Sequence, residues 1–316
     1  MPALMPDIVT FTMNPALDVS TDIDRVEPTH KMRCGAPRQH AGGGGINVAR
    51  VVHRLGSSCI AFYPCGGATG QTLQSLLTDE GVPQHIQPIE GETRESFSVH
   101  EAQTGLEYRF VLPGPTLQEP DWQAGLDWLE GLTPPPRYVV ASGSLAPGVP
   151  ADFYARLATQ AQHMSARFVI DSTEEPLKRA LKAGVFLYKP SLRELQELTG
   201  SPLASTADQV AAAQALINAN EVEVLALSQG DRGALLVTRD HAWQAAPLAV
   251  PVMSAIGAGD SFVGGMVWAL NTSHDLPTAF AYGIAAASAA LLHPGTHLCQ
   301  RADVMSLKDR VQIQAI

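Results

Sequence analysis

Val252-Met253-Ser254-Ala255-Ile256-Gly257-Ala258-Gly259-Asp260-Ser261-Phe262-Val263-Gly264-Gly265-Met266 is a glycine-bracketed loop that runs straight into an apolar stretch. Glycine reaches backbone torsions closed to other residues, and the apolar run that follows predicts a helix. A helix start leaves its first N–H groups free and carries the positive end of the helix dipole, which makes it an anion site. Asp260 is an odd neighbour for an anion unless it takes a proton from a hydroxyl that attacks a bound phosphate. Gly257, Ala258, Gly259 and Asp260 therefore predict a phosphoryl-transfer centre. The plainer alternative is an ordinary helix start with Asp260 as a capping residue.

A second glycine junction stands near the other end of the chain, Gly42-Gly43-Gly44-Gly45-Ile46-Asn47. Four glycines carry a large conformational-entropy cost, which predicts backbone lying close to a ligand. The run is neither a Walker A loop nor the dinucleotide fingerprint GxGxxG. Two such junctions suggest two anionic ends of one reaction.

Between them, short β-branched runs alternate with helical patterns. Strands are expected at Asp7–Thr12, Ser58–Tyr63, Tyr138–Ala141, Phe168–Ile170, Val185–Tyr188, Val222–Leu227 and Ala234–Val237. Helices are expected from Gly45 to Gly56 and over Thr69–Glu80, Pro150–Met164, Glu175–Lys182, Leu192–Thr199 and Ala207–Ala219. This alternation predicts an α/β fold with a parallel sheet covered on both faces. Ligands then bind at the carboxyl ends of the strands, where Ser142-Gly143-Ser144, Asp171-Ser172, Lys189-Pro190 and Ser228-Gln229-Gly230 fall.

Two segments break the rhythm. Val19–His40 is long and polar. Arg94–Leu112 reads as a hairpin about Ala102–Gly105, with Phe97 and Val99 on one face and Ser98 and His100 on the other. Such an element suits a lid or a subunit interface. It carries Arg94, and the first segment carries Lys31 and Arg33, cations suited to a substrate phosphate. Lys189 follows a strand and could meet nucleotide phosphates. Glu194, in the first turn of the next helix, could reach Mg²⁺ or its waters or simply favour the helix dipole.

Composition narrows the partners. Hydrophobic residues make up 45% and charged residues 16% of 316 residues, so the chain is globular. A formal net charge of −10 argues against nucleic acid or anionic membranes as partners, and a phosphate ligand needs locally gathered cations. Cys34, Cys59, Cys65 and Cys299 form no CxxC pair. With no basic leader in MPALMPDIVTFTM, reduced thiols in the cytoplasm are expected. The apolar run AFAYGIAAASAALL is too short to span a bilayer and predicts a buried helix. His293 and His297 flank Pro294-Gly295, which breaks any helical metal pair.

Asn14-Pro15-Ala16-Leu17-Asp18, GGGGINVAR at Gly42–Arg50, SGSLAPGV at Ser142–Val149, KPSLRE at Lys189–Glu194 and GAGDSFVGG at Gly257–Gly265 follow one another in this order. The pattern resembles the PfkB (ribokinase-like) carbohydrate kinases, and the N-P-A-L-D start resembles their phosphosugar branch, nearest to its minor bacterial 6-phosphofructokinases. The resemblance implies a three-layer α/β/α fold with a mostly parallel central sheet. It implies one catalytic domain over residues 1–316, with β-lid segments at about 15–40 and 94–112, and a homodimer through the lid. It implies ATP-dependent phosphorylation of fructose 6-phosphate to fructose 1,6-bisphosphate. In that reaction Asp260 is the base and Gly257, Ala258 and Gly259 form the anion hole. Alternatives are a 1-phosphofructokinase, a tagatose-6-phosphate kinase, or a sugar-phosphate-binding regulator on a kinase fold. By the same carry-over Asp18, Gly43, Gly44 and Asn47 hold the sugar. Lys31, Arg33, Arg94 and Ser144 take its 6-phosphate, Lys31 across the dimer. Lys189, Ser191, Ser228, Gly230 and Gly233 line the ATP site, and Glu194 holds Mg²⁺. A monovalent cation beside the loop is implied too. The chain departs from the family at Ser191, where an Asn is usual, and at Ala255-Ile256, where a Thr is usual.

Overall fold

The computed structural model describes residues 6–316; the leaderless reading of residues 1–5 lies outside them. In chain order, β1 (Ile8–Phe11), β2 (Ala16–Ile23) and β3 (Arg38–Gly42) lead into α1 (Gly44–Leu55). Then come β4 (Cys59–Cys65), α2 (Gly67–Asp79), β5 (Gln84–Pro88), β6 (Arg94–Glu101), β7 (Glu107–Val111) and α3 (Glu119–Glu130). The central run is β8 (Tyr138–Ser142), α4 (Phe153–His163), β9 (Arg167–Asp171), α5 (Glu174–Ala183), β10 (Val185–Tyr188) and α6 (Leu192–Thr199). The rest is α7 (Thr206–Asn218), β11 (Val222–Ser228), β12 (Ala234–Val237), β13 (Ala242–Ala245), α8 (Ala258–Asn271), α9 (Leu276–Ala290), α10 (Arg301–Lys308) and β14 (Ile313–Ala315).

The large sheet runs β14-β13-β12-β11-β10-β9-β8-β1-β4-β5. From β5 to β11 every neighbouring pair is parallel; β12, β13 and β14 join antiparallel at one edge. Successive residues of its central strands point to opposite faces, and both faces are buried. Ile8, Val140, Val169 and Leu187 pack with the apolar faces of α1, α2, α8, α9 and α10. Val9, Phe11, Val139, Ala141, Phe168 and Ile170 pack with those of α3 to α7. This is the expected α/β/α layering: burial on both faces explains why the parallel strands are near-continuous apolar runs. The apolar run near the C-terminus is α9, buried against α8, where Gly265 and Gly283 leave no room for a Cβ. Among the described residues no helix is long and apolar enough to cross a membrane.

The two segments that break the βα rhythm come together as a second, four-stranded sheet, β3-β2-β6-β7. β2 pairs antiparallel with β3 and parallel with β6, and β6 and β7 form the hairpin. The strand periodicity of that hairpin sets which of its two faces turns inward. Ser96 and Ser98 are buried, whereas Phe97 and its cross-strand partner Phe110 are exposed. The sheet turns a polar face inward, and on the other face Phe97 and Phe110 reach solvent while Leu17, Ile23 and Val99 stay buried.

Candidate active site

The start of α8 is built for a guest. Gly257 holds φ at 75°, in the left-handed region, and a Cβ there would also run into Leu298. No side chain caps this helix; the Ala258 N–H donates to the Ala255 carbonyl at 3.4 Å, and the next N–H groups, of Gly259 and Asp260, are left to a ligand. Asp260 sits in the first turn. Its Oδ2 accepts a hydrogen bond from Asn47 Nδ2 at 2.9 Å, and its Oδ1 accepts one from Ser142 Oγ at 3.4 Å. Asn47 comes from the first turn of α1, beyond Gly43 with φ 113°; Ser142 is the last residue of β8. At α1 the Ile46 N–H is already taken by Thr12 Oγ1 at 2.7 Å. Each glycine junction thus has one early N–H engaged within the chain, Ile46 at α1 and Ala258 at α8.

Asp260 faces a cleft of about 260 Å³, lined on one side by Asp18, Arg94, Ser96 and Arg109 of the small sheet. Gly43, Gly44, Asn47, Ser142, Ser144, Asp171, Glu194 and Asp260 line the other side. Burial raises Asp18 to about 6 against the opposing pull of Arg109 and Arg94. Arg94 donates to the Asn14 carbonyl at 2.9 Å and to the Leu112 carbonyl at 3.2 Å, and Asn14 Nδ2 donates to Ser144 Oγ at 3.1 Å. Asn14, Arg94 and Ser144 thus form one polar string at the cleft's rim.

At the far end, Lys189 is buried, with Nζ 3.5 Å from Asp171 Oδ1 and close beside Gly259. Burial pulls its ammonium down, but Asp171, Glu194 and Asp260 outweigh that and hold it raised. Asp171 is pushed up to about 7 by burial, with Asp260 and Glu194 adding and Lys189 opposing. Burial likewise raises Asp260, against the Asn47 hydrogen bond, Lys189, Arg109 and Ser142. A carboxylate held above its usual range is a better proton acceptor near neutrality. Ser191 and Glu194 form a reciprocal capping box on α6: the Ser191 N–H donates to Glu194 Oε2 at 2.7 Å and the Glu194 N–H donates to Ser191 Oγ at 3.3 Å.

The arrangement can hold a phosphorylated substrate beside arginines, present its hydroxyl to a fixed carboxylate, and receive a second anion at a bare helix start. Residues 12–303 match the model of the pfkB family of carbohydrate kinases. The chain belongs to the PfkB carbohydrate kinase family. It is 47% identical over 299 residues to the ATP-dependent 6-phosphofructokinase isozyme 2 of Mycobacterium tuberculosis, covering 95% of this chain and 88% of that one. The Escherichia coli K12 protein of the same name is 39% identical, covering 96% and 98%. The crystal structure of Escherichia coli phosphofructokinase-2 in complex with substrates and products superposes with a TM-score of 0.92 at 38% identity, over 96% of this chain and 98% of that one. The protein is accordingly an ATP-dependent sugar-phosphate kinase of the ribokinase-like fold.

Within this PfkB chain the expected residues divide. Asp18, Gly43, Gly44, Asn47, Arg94, Ser144, Glu194 and Asp260 share the cleft. Gly257, Ala258 and Gly259 form its helix start, and Lys189 stands beside it. Ser191 is bridged to Ser228, at the end of β11, and Gly230 and Gly233 shape the turn that follows. Lys31 and Arg33 do not join the cleft of their own chain: both lie exposed between β2 and β3. Arg109 is the cation that sequence reasoning missed. Its signal was the hairpin register, which sets Arg109 opposite Ser98 on the inward face. Asp171 and Ser142 were noted only as strand-end polar residues.

Proposed function

We propose that Asp260 is the base in the ATP-dependent conversion of fructose 6-phosphate to fructose 1,6-bisphosphate. The observation that carries this reading is the Asp260 carboxylate, fixed by Asn47 and Ser142 at an uncapped helix start and facing a cleft that holds Arg94 and Arg109. Asp260 takes the proton of the sugar's 1-hydroxyl as that oxygen bonds to the γ-phosphorus. The bond from the γ-phosphorus to the bridging oxygen breaks, and ADP leaves. Asp18 and Asn47 orient the sugar hydroxyls, and Arg94, Arg109 and Ser144 hold the 6-phosphate. The N–H groups of Ala258 and Gly259 receive the phosphoryl group in transit. Such transfer depends mainly on positioning and charge neutralisation. Lys189, with Ser191, Ser228, Gly230 and Gly233, lines the nucleotide's place.

Mg²⁺ keeps several waters and takes few carboxylates, and the pair Asp171 and Glu194 fits that demand. Glu194, with Asp171 through water, would hold it, and it would neutralise charge on the nucleotide phosphates. A monovalent cation near Ala255-Ile256 is proposed as well, because a solved relative, Escherichia coli phosphofructokinase-2, was crystallised in complex with potassium. The exposed Phe97, Phe110, Val111 and Leu112 support a homodimer through the small sheet, with Lys31 and Arg33 reaching the partner subunit's cleft. The chain is read as one catalytic domain whose small sheet is its lid. Four unpaired cysteines, three of them buried, suit the reducing cytoplasm.

A second reading rests on a 36% identical 1-phosphofructokinase of Xanthomonas campestris, covering 83% of each chain. ADP release measured with fructose 6-phosphate, fructose 1-phosphate, tagatose 6-phosphate and unphosphorylated fructose separates the readings. Fructose 6-phosphate is expected to give the highest kcat/KM; a preference for fructose 1-phosphate would install the second reading, and no turnover with any would sink both. Arg109→Ala should raise KM for the phosphosugar by about tenfold or more, the worth of a charged hydrogen bond, and leave KM for ATP unchanged.

A further inference from the structure

Arg50, one turn past Asn47 on α1, is the bulkiest fully buried side chain among the described residues, 1% exposed. Its Nε and Nη2 bind the Glu80 carboxylate at 2.6–3.0 Å. Its Nη1 donates to the carbonyls of Ala41 at 2.9 Å and Thr296 at 3.2 Å, and to Asn47 Oδ1 at 3.3 Å. The guanidinium thus ties together β3, α1, the end of α2 and the segment that follows α9. A buried ion pair is a poor device for stability alone, since apolar residues of similar volume often serve a core as well or better.

The Asn47 amide lies between this guanidinium and Asp260. A guanidinium can only donate and a carboxylate can only accept. One amide orientation therefore satisfies both, with Oδ1 toward Arg50 and Nδ2 toward Asp260, as the distances of 3.3 and 2.9 Å record. The opposite flip would set a carbonyl oxygen against the carboxylate and an N–H₂ against the guanidinium.

We propose that Arg50, held by Glu80, is a positioning residue that locks the Asn47 side chain so that its N–H₂ faces Asp260. The inference rests on the reading of Asp260 as the base. Glu80, Arg50, Asn47 and Asp260 form one chain of hydrogen bonds from the end of α2 to the Asp260 carboxylate. Arg50 does not touch Asp260 itself; it acts on it through Asn47.

A double-mutant cycle on kcat tests this, using Arg50→Met, Asn47→Ala, the double variant and Asp260→Asn, each checked for folding by circular dichroism. Arg50→Met is expected to lower kcat by about tenfold in the wild-type background and by less than about twofold in the Asn47→Ala background, the non-additivity of residues acting as a unit. A merely structural Arg50 would give the same fold-loss in both backgrounds, and that result overturns the proposal, as does an unchanged kcat in folded Arg50→Met. Should Arg50→Met not fold, Glu80→Gln takes its place in the same cycle, with the same two outcomes. Near-normal turnover of Asp260→Asn would remove the base itself. An inactive Asp260→Asn with an additive cycle would remove this inference alone.

Discussion

The starts of α8 and α6 meet at one cleft and are finished in opposite ways. At α6, Ser191 and Glu194 cap each other's N–H groups, so the helix start is closed by its own side chains. At α8 the cap position is Gly257, with no side chain to offer. Two other helices at ordinary positions, α7 and α9, also close themselves, with Ser205 and Asp275. Helices α1, α2, α4, α5 and α10 also lack a side-chain cap; what sets α8 apart is a left-handed glycine at the cap position next to a carboxylate that faces the cleft.

The sharpest way to break this contrast is to close α8. Gly257→Asp supplies the missing carboxylate cap, in a backbone conformation strained for a side chain. It is expected to lower kcat by about 10²–10³, the cost typical of losing an oxyanion donor; steady-state turnover within tenfold of wild type would deny the loop its role.

Asp171 stands between the two helix starts and feels both, through Glu194 and Asp260. Its carboxyl is raised to about 7 in the folded protein, above its unfolded value. The folded state therefore holds the proton more tightly, and the associated stability is present below about pH 4 and lost as pH rises through about 7. Asp171→Asn should gain stability relative to wild type across that window, by on the order of 2 kcal/mol. Urea midpoints from pH 4 to pH 8 report it, and a constant difference between the two proteins would refute it.

The smallest effect is expected at α6. Ser191→Ala removes one half of the capping box and should cost about 1 kcal/mol of stability; because Ser191 lines the nucleotide's place as the cap of α6, kcat and KM for ATP should change by less than about threefold. A tenfold or larger rise in KM for ATP would instead make Ser191 a nucleotide or metal contact, as the resemblance implies.

The same contrast marks what the sequence made legible. Helices and parallel strands of the large sheet were readable because period and composition are local: α6 and β10 fall at the expected residues, and other boundaries move by a few. The small sheet was only half readable. Its β6–β7 hairpin is local, but β2 pairs with β6 some 78 residues away, as the register of Ala16 with Arg94 shows, and a polar inward face defeats the rule that apolar residues point in. The edge strands β13 and β14 are short, and neither was expected. Nor was α3, although its Gln118 and Asp121 capping box and its proline at the start were legible signals. At the site, the glycine loop and Asp260 declared themselves through residue type. Arg109 and Asp171 matter through register and burial, which only the fold supplies.

The contacts that close the cleft join distant parts of the chain. Asn47 reaches Asp260 across 213 positions and Arg50 reaches Thr296 across 246. During synthesis, β1, β4 and β8 can pair long before either contact exists, because domains assemble as the chain emerges. The nascent protein can therefore build much of its scaffold while it is still unable to bind its reactants productively. Catalytic competence waits until Asp260 has been made, and a ribosome stalled before that residue would display a folded-looking but chemically silent body.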